Sequence, residues 1–184
     1  MRYATFWQRF SAMWLDILVL APIIAIRFWV ESHSKSATMA LLVPLSCIHI
    51  GYFVSHHALS GQTIGKRLMG IRIVKRNGDA IGWTEAWLRS SLEVLFVGLF
   101  VVAEFIALAD IADHDYYYVG WSQRSQNLYA LRPAWLTWPD TVGEFWAWSE
   151  VVVMLFNRER RALHDFIAGT VVIDLRRNTP ETAN

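Results

Sequence analysis

Gly61-Gln-Thr-Ile-Gly-Lys-Arg-Leu-Met-Gly-Ile-Arg-Ile-Val74 is the stretch from which the fold is read. It is too charged for a core and too apolar for a random loop. Gly61 and Gly65 are four apart, so on a helix they share one bare face. Lys66 and Arg67 make that helix basic. Gly70 can stop it by turning to positive φ. Past Gly70, the β-branched Ile71, Ile73 and Val74 flank Arg72 and read as a short strand. The stretch is thus a basic amphipathic helix, a glycine stop and an extended exit.

Residues 160–173, RRALHDFIAGTVVI, say something similar. With Gly70 laid on Gly169, Ile64 meets Leu163, Lys66 meets Asp165 and Leu68 meets Ile167. The exits Ile73–Val74 meet Val172–Ile173. Each copy follows a long apolar stretch. The chain therefore reads as an all-α membrane protein of two halves. Each half is a pair of transmembrane helices followed by a cytoplasmic helix–Gly–short strand motif.

Composition agrees with a membrane protein. Hydrophobic residues make up 54% and charged residues 18%, where soluble chains average about 25% charged. A length of 184 residues suits one domain. The net charge of +1 says nothing about nucleic acid, but no basic patch interleaves with stacking aromatics as a single-strand binder requires, and no nucleic-acid partner is expected. Cys47 is the single cysteine, so no intrachain disulfide forms. There is no CxxC, HExxH or GxGxxG. The adjacent His56 and His57 would point different ways on a helix. No metal, cofactor or enzymatic activity is expected, because no nucleophile–base set is present.

Apolar runs place four spans at about 10–30, 37–55, 91–112 and 142–158, within one domain covering 1–184. Pro22 should kink the first. That run is long for a signal peptide and carries Asp16, so it reads as an uncleaved span. Asn77-Gly78 marks a tight turn, with Ile71–Lys75 and Ala80–Trp83 as a small hairpin around it. Thr84 is positioned to cap a helix from Glu85 that continues into the third span. Residues 113–140 form a long outer loop, and their Tyr and Trp content suits the membrane interface. Thr141 with Glu144 resembles a capping box at the start of the fourth span. Residues 159–184 form a cytoplasmic tail.

Thirteen of the 17 Lys and Arg fall in residues 1–9, 56–90 and 157–184. By the positive-inside rule, both termini and both motifs face the cytoplasm. Trp7, Trp83 and Trp87 form an inner belt, and Trp29, Trp121, Trp135, Trp138, Trp146 and Trp148 an outer one. The expected location is a bacterial inner membrane.

Intramembrane acids are the candidate functional groups, because an acid at depth costs about 3 kcal/mol and must pair, protonate or meet water. Arg9 and Asp16 are seven apart and share a face of the first helix. Asp16 reads either as a structural tie to a cytoplasmic motif or as an ion or proton site. Glu93 and Glu104 share a face of the third, where Arg89 can pair with Glu93 one turn on. Glu150 lies in the fourth. Asp16, Glu93, Glu104 and Glu150 could line a polar path, or each could be satisfied separately. His49 reads as a histidine bonded to a neighbouring carbonyl. Asp165, beside His164, reads as an ion-pair partner of Arg9 or Lys66. Gly61, Gly65, Lys66, Arg67 and Gly70, with Arg160, Arg161, His164 and Gly169, make up the cytoplasmic motifs.

Arg9, Asp16, the GQTIGKRLMGIRIV block and RRALHDFIAGTVVI with its His164-Asp165 together resemble the RDD family of small multi-pass bacterial membrane proteins. The family's one arginine and two aspartates fall on Arg9, Asp16 and Asp165. The resemblance spans 6–174. It implies a multi-pass membrane fold without a settled activity, and transport of unidentified ligands has been suggested for the family. The long 113–140 connection and the acid-rich third span depart from it. Two functions stay open. One is a transporter of an ion or small solute, which at this size would dimerise. The other is a non-catalytic scaffold that holds a membrane-protein partner or anionic lipid through its basic motifs.

Overall fold

A computed structural model describes residues 1–178. The end of the expected tail, 179–184, lies outside the described residues. The chain is mostly helical. Its elements run α1 (Phe6–His33), α2 (Lys35–Ser60), α3 (Ile64–Leu68), β1 (Ile71–Lys75), α4 (Trp83–Asp110), α5 (Asp113–Tyr117), α6 (Trp121–Ala130), a 3-10 turn (Ala134–Leu136), α7 (Thr137–Phe156), α8 (Leu163–Ile167), β2 (Thr170–Asp174) and α9 (Leu175–Asn178).

Among the described residues, α1, α2 and α4 are long and apolar enough to cross a membrane. Their outward side chains, such as Leu18, Trp29, Val43 and Phe105, are exposed, as suits contact with lipid. The fourth apolar run lies in α7. That helix has 20 residues and carries three acids spaced along it, Asp140, Glu144 and Glu150.

Several local expectations are corrected. α4 starts at Trp83, so Thr84 sits inside it; the Gly82 N–H is taken instead by Glu85 Oε2 at 2.8 Å. The 113–140 stretch is mostly helical. α7 starts at Thr137, which puts Thr141 and Glu144 inside the helix; Thr141 Oγ1 donates to the Thr137 carbonyl at 2.8 Å rather than capping. Gly61 and Gly65 do not share a helix face. Gly61 follows the last residue of α2 at φ 67°, its N–H bonded to the His57 carbonyl at 2.8 Å, and Gly65 lies in α3.

The chain divides into two compact units. One comprises residues 21–49 and 92–144. Its core is Leu42, Ala107, Leu108, Ile111, Tyr116 and Leu128. The fully buried Tyr116 donates its hydroxyl to the Glu31 carbonyl at 2.7 Å and lies 3.2 Å from Thr38 Oγ1. Lys35 Nζ donates to the Ile111 carbonyl at 2.6 Å, a cation at the C-terminal end of α4 where the helix dipole favours one.

The other unit comprises residues 1–20, 50–91 and the chain from 145 onward, and it contains both motif segments. β1 and β2 pair antiparallel, with Ile71 opposite Asp174, Ile73 opposite Val172 and Lys75 opposite Thr170. Ile73 and Val172 are also equivalent positions of the two copies, 99 residues apart. The ladder is therefore centred where a two-fold axis relating the copies would pass. Its ends follow the same symmetry: Leu175 N–H donates to the Gly70 carbonyl at 2.8 Å, and Arg76 N–H to the Gly169 carbonyl at 3.3 Å. Single bridges extend the ladder on both sides, Val74 with Ala80 and Ile173 with Tyr3. Ala4, Ala12, Ile71, Ile73, Ile81 and Val172 form the core of the unit.

Candidate functional site

Within this unit the two copies match element for element at an offset of 99. α3 has five residues, as does α8, and β1 has five, as does β2. Gly70 and Gly169 both take φ 67°. Gly61 at φ 67° has Arg160 at φ 50° as its counterpart. The side chains repeat as well. Gln62 Nε2 donates to the Ile71 carbonyl at 2.8 Å, and its counterpart Arg161 donates from Nε to the Thr170 carbonyl at 3.1 Å.

Each copy encloses one buried aspartate. Asp16 is 1% exposed. Its Oδ1 accepts from the Gly65 N–H at 2.8 Å and from the Tyr52 hydroxyl at 2.7 Å, and its Oδ2 from Thr63 Oγ1 at 2.6 Å. Thr63 is also the N-cap of α3, accepting from the Lys66 N–H at 3.3 Å. A Cβ on Gly65 would strike the Ala12 carbonyl oxygen and stand 2.9 Å from Asp16 Cγ. The glycine is therefore what lets α3 approach α1 closely enough for its backbone to bond Asp16.

Asp165 is fully buried. Arg9 Nη1 donates to it at 2.7 Å, Arg89 Nη1 donates to its Oδ1, the Ala162 N–H reaches it at 3.0 Å, and Thr170 Oγ1 at 3.2 Å. Burial alone would raise its pKa. The charges of Arg89 and Arg9 outweigh that and hold the carboxyl well below the usual aspartate range. Arg9 also donates from Nη2 to the Arg160 carbonyl at 2.7 Å. Arg161 donates from Nη2 to the Asp165 carbonyl at 2.9 Å and stacks on Phe166 with 4.0 Å to the ring centre.

The partnership of Arg9 with Asp165 is one of the two that the sequence offered. Lys66 is not the partner. It is half-buried, and burial, with the nearby charge of Arg89, pushes its pKa down to about 8. Arg67 is exposed. Arg89 does not pair with Glu93, because Asp165 takes it. Glu93 instead lies 3.0 Å from His49 Nε2, so His49 faces a carboxylate. Glu104 accepts from Arg132 Nη2 at 2.9 Å. His164 Nδ1 lies 2.6 Å from Glu150 Oε2, and the His164 N–H donates to Glu150 Oε1 at 3.0 Å. Each of the four helix acids thus has a partner of its own.

Four residues that complete the two aspartate sites escaped the sequence reading: Tyr52, Thr63, Thr170 and, in its true pairing, Arg89. Thr63 carried a visible signal as a cap-type residue just ahead of Ile-Gly-Lys-Arg-Leu. Tyr52 and Thr170 carried none, since a tyrosine near a span end and a threonine at a strand start are ordinary there.

A sequence model of the RDD family matches residues 3–169. An uncharacterized protein, YckC of Bacillus subtilis (strain 168), is 30% identical over 113 residues, covering 58% of this chain and 72% of that protein. No solved structure matches. Arg9, with the buried Asp16 and Asp165, and the match across nearly the whole length lead to one statement of identity: the chain belongs to the RDD family.

Proposed function

We propose that this protein crosses a bacterial inner membrane four times, with α7 as the fourth span and both motifs cytoplasmic, and moves an ion or small solute without catalysing a reaction. The observation that carries this reading is the Glu150–His164 pair. Asp16 and Asp165 are locked by three and four donors. Glu150 is held by an imidazole and one N–H, and its side chain and that of His164 are 15% and 30% exposed. A carboxylate–imidazole pair that solvent reaches can pass protons or cations. α7 brings that acid to the cytoplasmic end of its span. A second copy of the chain would complete a pathway that one small bundle does not enclose.

Proteoliposomes loaded with a proton or sodium gradient test this. Glu150→Gln and His164→Gln should each abolish gradient-driven flux while the purified proteins keep their Tm. Flux indistinguishable from wild type in both variants would remove the transport reading.

The scaffold reading has its own support. Ile64 and Leu68 on α3, and Phe166 and Ile167 on α8, are exposed apolar side chains beside the exposed Arg67. Such a mixed apolar and basic surface suits anionic lipid or a membrane-protein partner.

A further inference from the structure

His49 and Glu93 face each other within the unit of residues 21–49 and 92–144, with His49 Nε2 3.0 Å from Glu93 Oε1. Both sit deep in long apolar helices. By helical rise, about 16 Å of α2 separates His49 from Ser60, and about 15 Å of α4 separates Glu93 from Trp83. In helices that cross a hydrocarbon core of about 30 Å, those are mid-membrane positions. Glu93 has no other ion-pair or hydrogen-bond partner among the described residues. The two side chains are nonetheless 43% and 42% exposed.

That exposure is not on the outward side of the helices. The freely exposed Cys47 and Gly51 of α2, and Leu95 and Val102 of α4, lie on the opposite side of each helix from the pair. Residues seven apart share its face. On α4 these are Ala86, Glu93, Phe100 and Ala107. The two alanines are fully buried, and Glu93 and Phe100 between them are open. On α2, Leu42 is buried and His49, seven later, is open. The face is therefore packed on either side of the pair along α4 and parted where the pair stands. An ionisable group left open at that depth is costly in lipid, so this one meets water. Apart from Cys47 on the far side, the charged or titratable groups within two turns on these helices are bonded elsewhere. The Tyr52 hydroxyl donates to Asp16 of α1 at 2.7 Å, His56 Nδ1 lies 2.8 Å from the Tyr52 carbonyl, and Arg89 donates to Asp165.

We infer that His49 and Glu93 form an intramembrane proton-binding site, reached by water through the gap between α2 and α4. An imidazole nitrogen and a carboxylate oxygen are both proton acceptors, and at 3.0 Å one proton already lies between them. With that proton alone, the pair is a neutral imidazole beside a carboxylate and carries one negative charge. A second proton, taken by the pair from water in the gap, leaves it neutral overall; unloading returns that proton to water. The site adds a second carboxylate–imidazole pair to Glu150–His164. It rests on the transport reading above and names the ion carried and the place in the span where it is held.

Two readouts on the full chain in proteoliposomes test this. The first is labelling with dicyclohexylcarbodiimide, a lipid-soluble reagent that adds to a protonated carboxyl and rearranges to a stable N-acylurea with nothing released. Peptide mass spectrometry should find the adduct on Glu93. The second is proton uptake, followed with a pH-sensitive dye trapped in the vesicles. Glu93→Gln and His49→Gln should each lose uptake while the purified proteins keep the wild-type Tm. Glu93→Asp, which keeps a carboxyl, should recover part of it, and Cys47→Ala, on the far side of α2, should take up protons as wild type does. An unlabelled Glu93, or uptake at the wild-type rate in both glutamine variants, overturns the site; if Glu150→Gln still abolishes flux, the transport reading stands without it. A labelled Glu93 in wild-type vesicles that take up no protons overturns the transport reading, and the proton-carrying role of the pair falls with it.

Discussion

Lys66 and Asp165 occupy the same position, the third residue of the five-residue helix, in two copies of one motif, and they carry opposite charge. The long helices facing them are inverted to match. The first copy meets an acid from α1, Asp16, bonded to the motif's Thr63 and Gly65. The second copy meets a base from α4, Arg89, bonded to the motif's Asp165. α1 reaches both copies, giving Asp16 to the first and, seven residues earlier, Arg9 to the second. One helix face thereby fixes the two motifs that the sheet has already joined. Arg9, Asp16 and Asp165 are thus polar residues of this joint.

Asp165→Asn should be among the most destabilising single changes in the chain. It leaves Arg89 and Arg9 without a counter-charge in a site closed to water. Breaking a buried pair from one side costs about 3–5 kcal/mol. Thermal unfolding in detergent should show a large drop in Tm. Arg89→Gln combined with Asp165→Asn should cost clearly less than the two singles added together, because the pair is coupled. Strict additivity would mean that the two side chains do not share one interaction.

The glycines separate two kinds of constraint. Gly65→Ala puts a methyl into the Ala12 carbonyl and against Asp16, so α3 must leave α1; more than about 3 kcal/mol should be lost, beyond ordinary overpacking. Gly169→Ala meets no atom within 4 Å but must hold φ 67°, which costs an L-residue about 1–2 kcal/mol. The Tm order should be wild type, then Gly169→Ala, then Gly65→Ala. A milder effect at Gly65 would contradict the close approach.

The periodicity and punctuation of the sequence carry the local structure well. The basic run ending at Gly70 and the β-branched run after it can only be a short helix and an extended exit, and a match at one fixed offset exposes the second copy. The first three apolar runs are helices, though each extends beyond its apolar stretch because flanking amphipathic residues such as Trp83–Ser90 continue the same turns. The site is less legible. Arg89 has Glu93 one turn away, so local spacing favours a pair that the fold does not make; Asp165, 76 residues on, wins because the sheet brings it to a place where no water can compensate. Gly61 misleads for a related reason. Its spacing to Gly65 fits a helix face, yet the φ 67° that only glycine adopts easily is what ends α2.

Stability should depend on pH at both ends. Asp165 has a depressed pKa, so the stability it contributes is complete above the unfolded value of about 3.9 and is lost as pH falls below that toward its folded value. Lys66 acts in the opposite region. Its folded pKa of about 8 lies below the usual 10.5, so between these values the unfolded chain holds the extra proton and stability rises with pH. In phosphate-free buffer, the Tm of wild type minus that of Lys66→Met should increase from pH 7.5 to pH 9.5. A flat or falling difference would remove the burial of the Lys66 charge.

Topology follows from the basic residues and is read with reporter fusions. Fusions after Ser34 and within 113–140 should report the periplasm, and a fusion after Asn77 the cytoplasm. A fusion after Asn184 should also report the cytoplasm if α7 crosses the membrane. A periplasmic signal there, with the other three as expected, would leave three spans and overturn the four-span topology, since β1 and β2 pair only from one side of the membrane.

Asp16→Asn distinguishes an acid that builds the fold from one that works in transport. All three groups on Asp16 donate, the Gly65 N–H, the Tyr52 hydroxyl and the Thr63 hydroxyl. A carboxylate accepts all three. An asparagine amide keeps one acceptor oxygen and turns donors toward a donor, so Oδ2 or Oδ1 loses its bond and meets a like dipole. The lost charge-assisted bonds and the new clash should together cost about 2–4 kcal/mol. The expected phenotype is low abundance and a lowered Tm, with flux per folded molecule unchanged. Glu150→Gln should give the reverse, normal Tm with no flux, because its pair is partly open to solvent and its loss leaves no buried donor stranded. Thermal stability in detergent and gradient-driven uptake in proteoliposomes, measured on the same two preparations, separate the cases. If Asp16→Asn folds as wild type and loses flux, the coupling acid is in α1, and its three donors serve transport rather than the fold.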